Sequence, residues 1–119
     1  MFVEIGRWRI SAEQSQIHRD TWRDTLAIQK LHPQKFLYTR TRLFRLEDAG
    51  ATEETWIYLD EYPDKETYDQ QMKIWNEDPE AIALKQLWHA RFPILCPLTS
   101  VKTECWTEQF RVEFEAGPS

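Results

Sequence analysis

Apolar residues in the first ten positions (Phe2, Val3, Ile5, Trp8 and Ile10) are close-set, β-branched or aromatic, and predict a strand over residues 2–10. Ser11 then reads as a helix N-cap, with Gln14 three residues on completing a capping box. Residues 12–31 contain neither Gly nor Pro, and Ile17, Thr21, Trp22, Thr25, Leu26 and Ile28 fall on one broad helical face, with Pro33 marking the end. Residues 35–47 predict a long second strand, 48–52 a hairpin loop, and 54–62 a third strand. Asp64 caps a helix running to about Glu77 that presents Tyr68, Met72 and Trp75 together. Asp78-Pro79 starts another helix at a changed angle, through residue 92, with Leu84, Leu87, Trp88 and Phe92 on its apolar face. Pro93 and Pro97 frame a connection to a last strand region over 100–115, which ends in the alternation Phe110, Val112, Phe114.

The order is strand-helix-strand twice over. Two right-handed crossovers joined by a hairpin predict an α+β, ferredoxin-like βαββαβ sandwich: a four-stranded antiparallel sheet with its helices on one face. The expected domain spans 1–115, with 116–119 a loose tail. Both strand faces are apolar, however. Trp56, Tyr58 and Tyr62 oppose Ile57 and Leu59, while Phe36, Tyr38, Phe44 and Leu46 oppose Leu37 and Leu43. Helices cover only one face of such a sheet, so the other needs a second cover. An identical face on a second copy supplies one, and the expectation is a homodimer joined sheet to sheet.

Length bounds this reading: 119 residues make one domain, large enough for a core without metal or disulfide staples. Fifteen basic against twenty acidic residues, net −5, argue against a nucleic-acid partner, since phosphate neutralisation needs a basic surface. No apolar run approaches the ~20 residues of a membrane span, and no membrane partner is expected. Cys96 and Cys105 make neither a disulfide framework nor a zinc set, so a cytoplasmic setting and no metal are expected.

With these elements placed, the chain resembles the dimeric α+β barrel superfamily: antibiotic-biosynthesis monooxygenases, polyketide cyclases and NIPSNAP-like proteins. The resemblance rests on the strand end Tyr58-Leu59-Asp60-Glu61-Tyr62, the helix start Asp64-Lys65-Glu66-Thr67-Tyr68 and the break Trp75-Asn76-Glu77-Asp78-Pro79-Glu80. It implies a pocket within each subunit, between helices and sheet. A fold of this kind hosts many chemistries, so activity must be argued from the site.

Six Trp, four Tyr and six Phe supply that site's walls. Trp22, Trp56, Trp75, Trp88 and Tyr58 lie on or near inward arcs, and together suit a flat hydrophobic ligand; packing explains each alone equally well. His18 lies inside the apolar arc of the first helix. It reads either as an acid/base with an ordinary pKa near ~6.5 or as a structural histidine hydrogen-bonded beneath the helix. Tyr38, Arg40 and Arg42 share one face of the second strand and Arg7 and Arg9 one face of the first. They could hold developing negative charge, or pair with Glu4, Asp60 or Glu61. His32 reads as a cation at a helix end, His89 as solvent-facing, and Cys105 as a small buried hydrophobe.

No phosphate loop, redox-cofactor fingerprint or nucleophile elbow is present, and no bound cofactor is expected. The leading expectation is a small enzyme acting on an apolar, aromatic or polyketide-like metabolite, by proton transfer or cofactor-free monooxygenation. Its catalytic residues would be His18, Tyr38 and Arg40, and its binding residues Trp22, Trp56, Tyr58, Trp75, Trp88 and Arg7. The alternative is a non-catalytic carrier or assembly protein of the same fold. A third reading, haem binding and degradation, would depend on His89 or His18.

Overall fold

The computed structural model describes residues 1–47, 52–95 and 101–115, with 92–95 as backbone only. The elements are β1 (Phe2–Ser11), α1 (Ser15–Lys30), β2 (Arg40–Arg45), β3 (Glu53–Tyr62), α2 (Lys65–Glu77), α3 (Pro79–Leu95) and β4 (Lys102–Thr107). The sheet order is β2-β3-β1-β4, with every neighbouring pair antiparallel. This is the expected ferredoxin-like arrangement, with three helices. Of the expected hairpin loop at 48–52, residues 48–51 lie outside the described residues, as do the connection around Cys96 and Pro97 and the tail at 116–119.

Helix boundaries follow local chemistry. Asp64 accepts from Thr67 N at 2.7 Å and caps α2. Asp78 accepts from Ala81 N at 3.0 Å and opens α3, with Pro79 at its first position. Ser11 behaves differently: its side chain makes no cap bond, and a 3-10 turn over Ala12–Gln14 leads into α1. The buried stripe of α1 is His18, Trp22 and Thr25, whereas Ile17 is 60% exposed. The apolar arc read from the sequence is therefore rotated about one residue.

Strand β2 is shorter than expected. It begins at Arg40, and residues 36–39 belong to the connection before it. Alternation does not extend through that connection, so Phe36 and Tyr38 face the interior while Phe44, of the same parity, is 44% exposed on the outer face. The buried Gln71 of α2 holds the connection in place. Its amide nitrogen donates to Lys35 O at 2.8 Å, and its carbonyl accepts from Leu37 N. Lys35 Nζ adds a 2.7 Å ion pair with Asp78. The last strand ends at Thr107, and Phe110, Val112 and Phe114 lie beyond it, exposed and outside any strand. Cys105, on this edge strand, is exposed rather than buried.

The core beneath α1 is a cluster of Trp8, Ile10, Trp22 and Trp56 around His18. Ring centroids of Trp8 and Trp22 lie 5.4 Å apart, nearly stacked, and those of Trp22 and Trp88 meet edge-on at 5.6 Å. The opposite sheet face, which no helix among the described residues covers, carries Val3, Ile5, Ile57, Leu59, Phe44 and Trp106 by strand register.

Candidate active site

Between the helices and the other half of the sheet lies a cavity of about 180 Å³. An apolar cavity of about 150 Å³ takes a benzene ring, so one aromatic ring fits here. Trp22 of α1, Met72 and Trp75 of α2 and Trp88 of α3 form the helical walls. Phe36 and Tyr38 close one side, and the floor is Tyr58, Asp60 and Tyr62 of β3 with Glu4 of β1 and Thr41 of β2. Among the described residues, no Lys, Arg or His lines it.

Strand register builds the floor. Glu4 pairs directly with Asp60 across β1–β3, and Asp60 with Thr41 across β3–β2. Paired residues point to the same side, so two carboxyls and a hydroxyl stand in one row. Thr41 Oγ1 donates to Asp60 Oδ1. Glu4 accepts from the Tyr58 hydroxyl on one oxygen and from Tyr68 at 2.5 Å on the other. Gly6 makes this possible, because a Cβ there would lie 1.9 Å from the Tyr58 ring. The ring crosses β1 at the glycine and delivers its hydroxyl to Glu4.

Desolvation pushes the Asp60 carboxyl up to about 7, and the Glu4 charge adds to the shift against the Thr41 hydrogen bond. Burial likewise raises Tyr38, Tyr58 and Tyr62 far above the phenol range, with the Asp60 charge contributing to each. These hydroxyls are donors at any physiological pH. Asp60 therefore changes protonation state near neutrality inside an aromatic enclosure, which is the property an acid/base group needs.

Of the residues singled out in the sequence, the structure brings Trp22, Tyr38, Tyr58, Trp75 and Trp88 to the cavity. It does not bring His18, Trp56, Arg7 or Arg40 there. His18 is fully buried behind Trp22, and its Nε2 accepts from Trp8 Nε1 at 2.8 Å and Trp22 Nε1 at 3.2 Å. Burial lowers its pKa to about 4, with Arg19 assisting and Glu54 opposing. Its geometry is that of the structural histidine. Trp56 belongs to the core cluster, its indole donating to Glu54 at 3.0 Å with the Arg19 guanidinium 5.3 Å from its ring.

Arg40 and Arg42 lie on the outer face and both bind Glu61, Arg40 through two nitrogens, which holds the Glu61 carboxyl below its usual range. Arg7 is exposed on that face, opposite Ile57. The expected sharing of a face by Tyr38 and Arg40 fails because the strand starts between them. His32 pairs with Glu80 at 2.9 Å, and His89 on α3 is not part of the cavity wall.

Glu4 and Asp60 were legible only as arginine partners. Their row with Thr41 across three strands is a register fact, and the signal available in sequence was an acidic residue at an inward-parity position in β1 and another in β3. Among the described residues, no three His, Cys, Asp or Glu side chains gather as a metal set, and no helix is long and apolar enough to cross a membrane.

The architecture is that of the ferredoxin-like proteins that include antibiotic-biosynthesis monooxygenases and NIPSNAP domains. An uncharacterized NIPSNAP domain protein from Burkholderia xenovorans is similar over 95% of this chain and 100% of its own, at 17% identity and a TM-score of 0.64. A dimeric ferredoxin-like protein from an uncultured marine organism is similar over 93% and 97%, at 10% identity and a TM-score of 0.66. SnoaB, a cofactor-independent oxygenase from Streptomyces nogalater, is similar over 93% and 95%, at 12% identity and a TM-score of 0.55. At these identities the likeness is one of fold. No protein-family profile matches the sequence, and no curated protein sequence does.

Proposed function

We propose that the protein is a small enzyme that works without a bound cofactor, holding a flat aromatic metabolite in the cavity and moving a proton between it and Asp60. The observation that carries this reading is the Asp60 carboxyl, raised to about 7 on the floor of a ring-sized aromatic enclosure. Asp60 accepts the proton, and Tyr38 donates a hydrogen bond to oxygen on the ligand as charge develops. Trp22, Trp75 and Trp88 hold the ring in plane with its target. Such a proton removal serves isomerisation, cyclisation or dehydration. It also opens an oxygenation in which the substrate itself supplies electrons to O2, and the likeness to SnoaB supports keeping that chemistry in view.

His18 takes a positioning role in this reading, through Trp22. Polar convergence on the cavity floor favours catalysis over a passive carrier. Haem ligation by His18 would require displacing two indole donors from Nε2.

The reading includes a homodimer formed through the uncovered sheet face, supported by Val3, Ile5, Ile57 and Leu59 on that face and by the dimeric marine neighbour. Leu59→Glu should leave a folded monomer in sedimentation, whereas a parent chain already monomeric at micromolar concentration removes the dimer. The proposed setting is the cytoplasm, where the exposed Cys105 thiol stays reduced.

The activity is tested by incubating aromatic carbon acids with the protein in D2O and following deuterium incorporation by NMR. Exchange that is lost in Asp60→Asn is expected. Exchange undiminished in that variant overturns the role of Asp60.

A further inference from the structure

We propose that the ligand of this cavity carries a basic nitrogen, so that what binds is a protonated aromatic amine rather than a neutral or anionic ring. The inference rests on the cavity being the ligand site and specifies which chemistry that site selects.

Charge and hydrogen-bond inventory carry the argument. Glu4 and Asp60 stand side by side on the floor, and among the described residues no cationic side chain lines the cavity. The arginines that would have balanced them are on the far side of the sheet, committed to Glu61. One acceptor on the cavity lining is unmet: the Gln29 side-chain oxygen of α1 is buried and has no hydrogen-bond partner among the described residues. Two carboxyls, already held by tyrosine and threonine hydroxyls, and an unmet amide oxygen along one ring-sized space suit a ligand that brings N–H donors and positive charge. Like carboxyls held together in a desolvated site are costly, and an ammonium group between them removes that cost. Trp22, Tyr58 and Trp75 line the same space, and aromatic rings attract a cation through their π-systems. An anionic ligand meets the opposite balance at every one of these groups.

The same geometry sets a pH dependence. The groups facing Asp60 are Glu4 from β1, Tyr58 and Tyr62 from its own strand, Thr41 from β2, Tyr38 from the connection and Tyr68 from α2. Cys105 on β4 pairs with Glu4 in register. Burial holds the four tyrosines protonated well above neutrality. Asp60 is thus the group that ionises as pH rises through about 7, and a cation binds its ionised form better. Amine affinity should rise from about pH 6 to about pH 8, with Cys105→Ser as the background that removes the thiol from consideration.

Calorimetric titration with benzylamine, benzyl alcohol and benzoate at about pH 7.5 tests the inference on the intact chain. These three probes share a ring and differ in charge. Benzylamine is expected to bind about tenfold or more tighter than benzyl alcohol, with no benzoate binding. Asp60→Asn should bring amine and alcohol to within about threefold of each other and flatten the pH dependence. Glu4→Gln, checked for folding by circular dichroism, is a second variant with the same expectation. Benzyl alcohol binding as tightly as benzylamine overturns the amine inference and leaves the cavity as a ligand site. Failure of all three probes overturns both.

Discussion

Trp8 Nε1 lies 2.8 Å from His18 Nε2, and Trp22 Nε1 approaches the same nitrogen at 3.2 Å. An atom that accepts two indole N–H bonds carries no proton, so the imidazole is neutral with its hydrogen on Nδ1. His18 thereby ties β1 to α1 through the two stacked tryptophans and sets the angle at which Trp22 enters the cavity wall.

Removing that acceptor strands two buried donors. His18→Ala should cost about 3 kcal/mol in chemical denaturation, combining a cavity with unsatisfied indoles. His18→Gln keeps an acceptor and should recover part of the loss. Ring-probe binding in His18→Gln should weaken less than in His18→Ala, because the readout follows Trp22 orientation rather than proton transfer.

His18 and Asp60 impose opposite pH slopes. His18 is lowered to about 4, below its unfolded value near ~6.5, so its contribution is present above that pH and fades as pH falls toward 4. Asp60 is raised to about 7 from its ordinary value of 3.8, so the fold is favoured at low pH and loses stability as pH rises through 7. Asp60→Asn should therefore equal the parent near pH 4 and exceed it by on the order of 3 kcal/mol above pH 7. Denaturation midpoints of both proteins across this range check the sign.

Gly6→Ala should cost about 2 kcal/mol, since the new methyl meets the Tyr58 ring at 1.9 Å and the ring must leave its place over β1. The Tyr58 hydroxyl then loses Glu4, and ring-probe affinity should fall with stability. Thermal unfolding and calorimetry on the one variant measure both.

Gln71→Leu removes both hydrogen bonds to the 35–37 backbone while keeping apolar bulk. A half-buried amide and carbonyl lose their partner, at about 1 kcal/mol. Faster amide exchange at Leu37 than in the parent is expected, with weaker ring binding because Phe36 and Tyr38 lose their anchor.

The local signals in this sequence determined the elements, their order and the sheet they make. Asp64 and Asp78-Pro79 set helix starts through their own capping bonds, and the short-range apolar spacing of β1 and β3 needs no distant partner to be read. Tyr58, Trp75 and Trp88 were legible as cavity wall for the same reason. The tertiary structure alone decided where β2 begins, which reversed the faces of Phe44 and Arg40 relative to Phe36 and Tyr38. That boundary depends on Gln71, more than thirty residues away in sequence, gripping the backbone. It alone also decided that the titrating group is Asp60 and not His18. A carboxyl or imidazole acquires its proton affinity from what surrounds it, and those neighbours, Glu4 for one and two indoles for the other, arrive through strand register and helix docking.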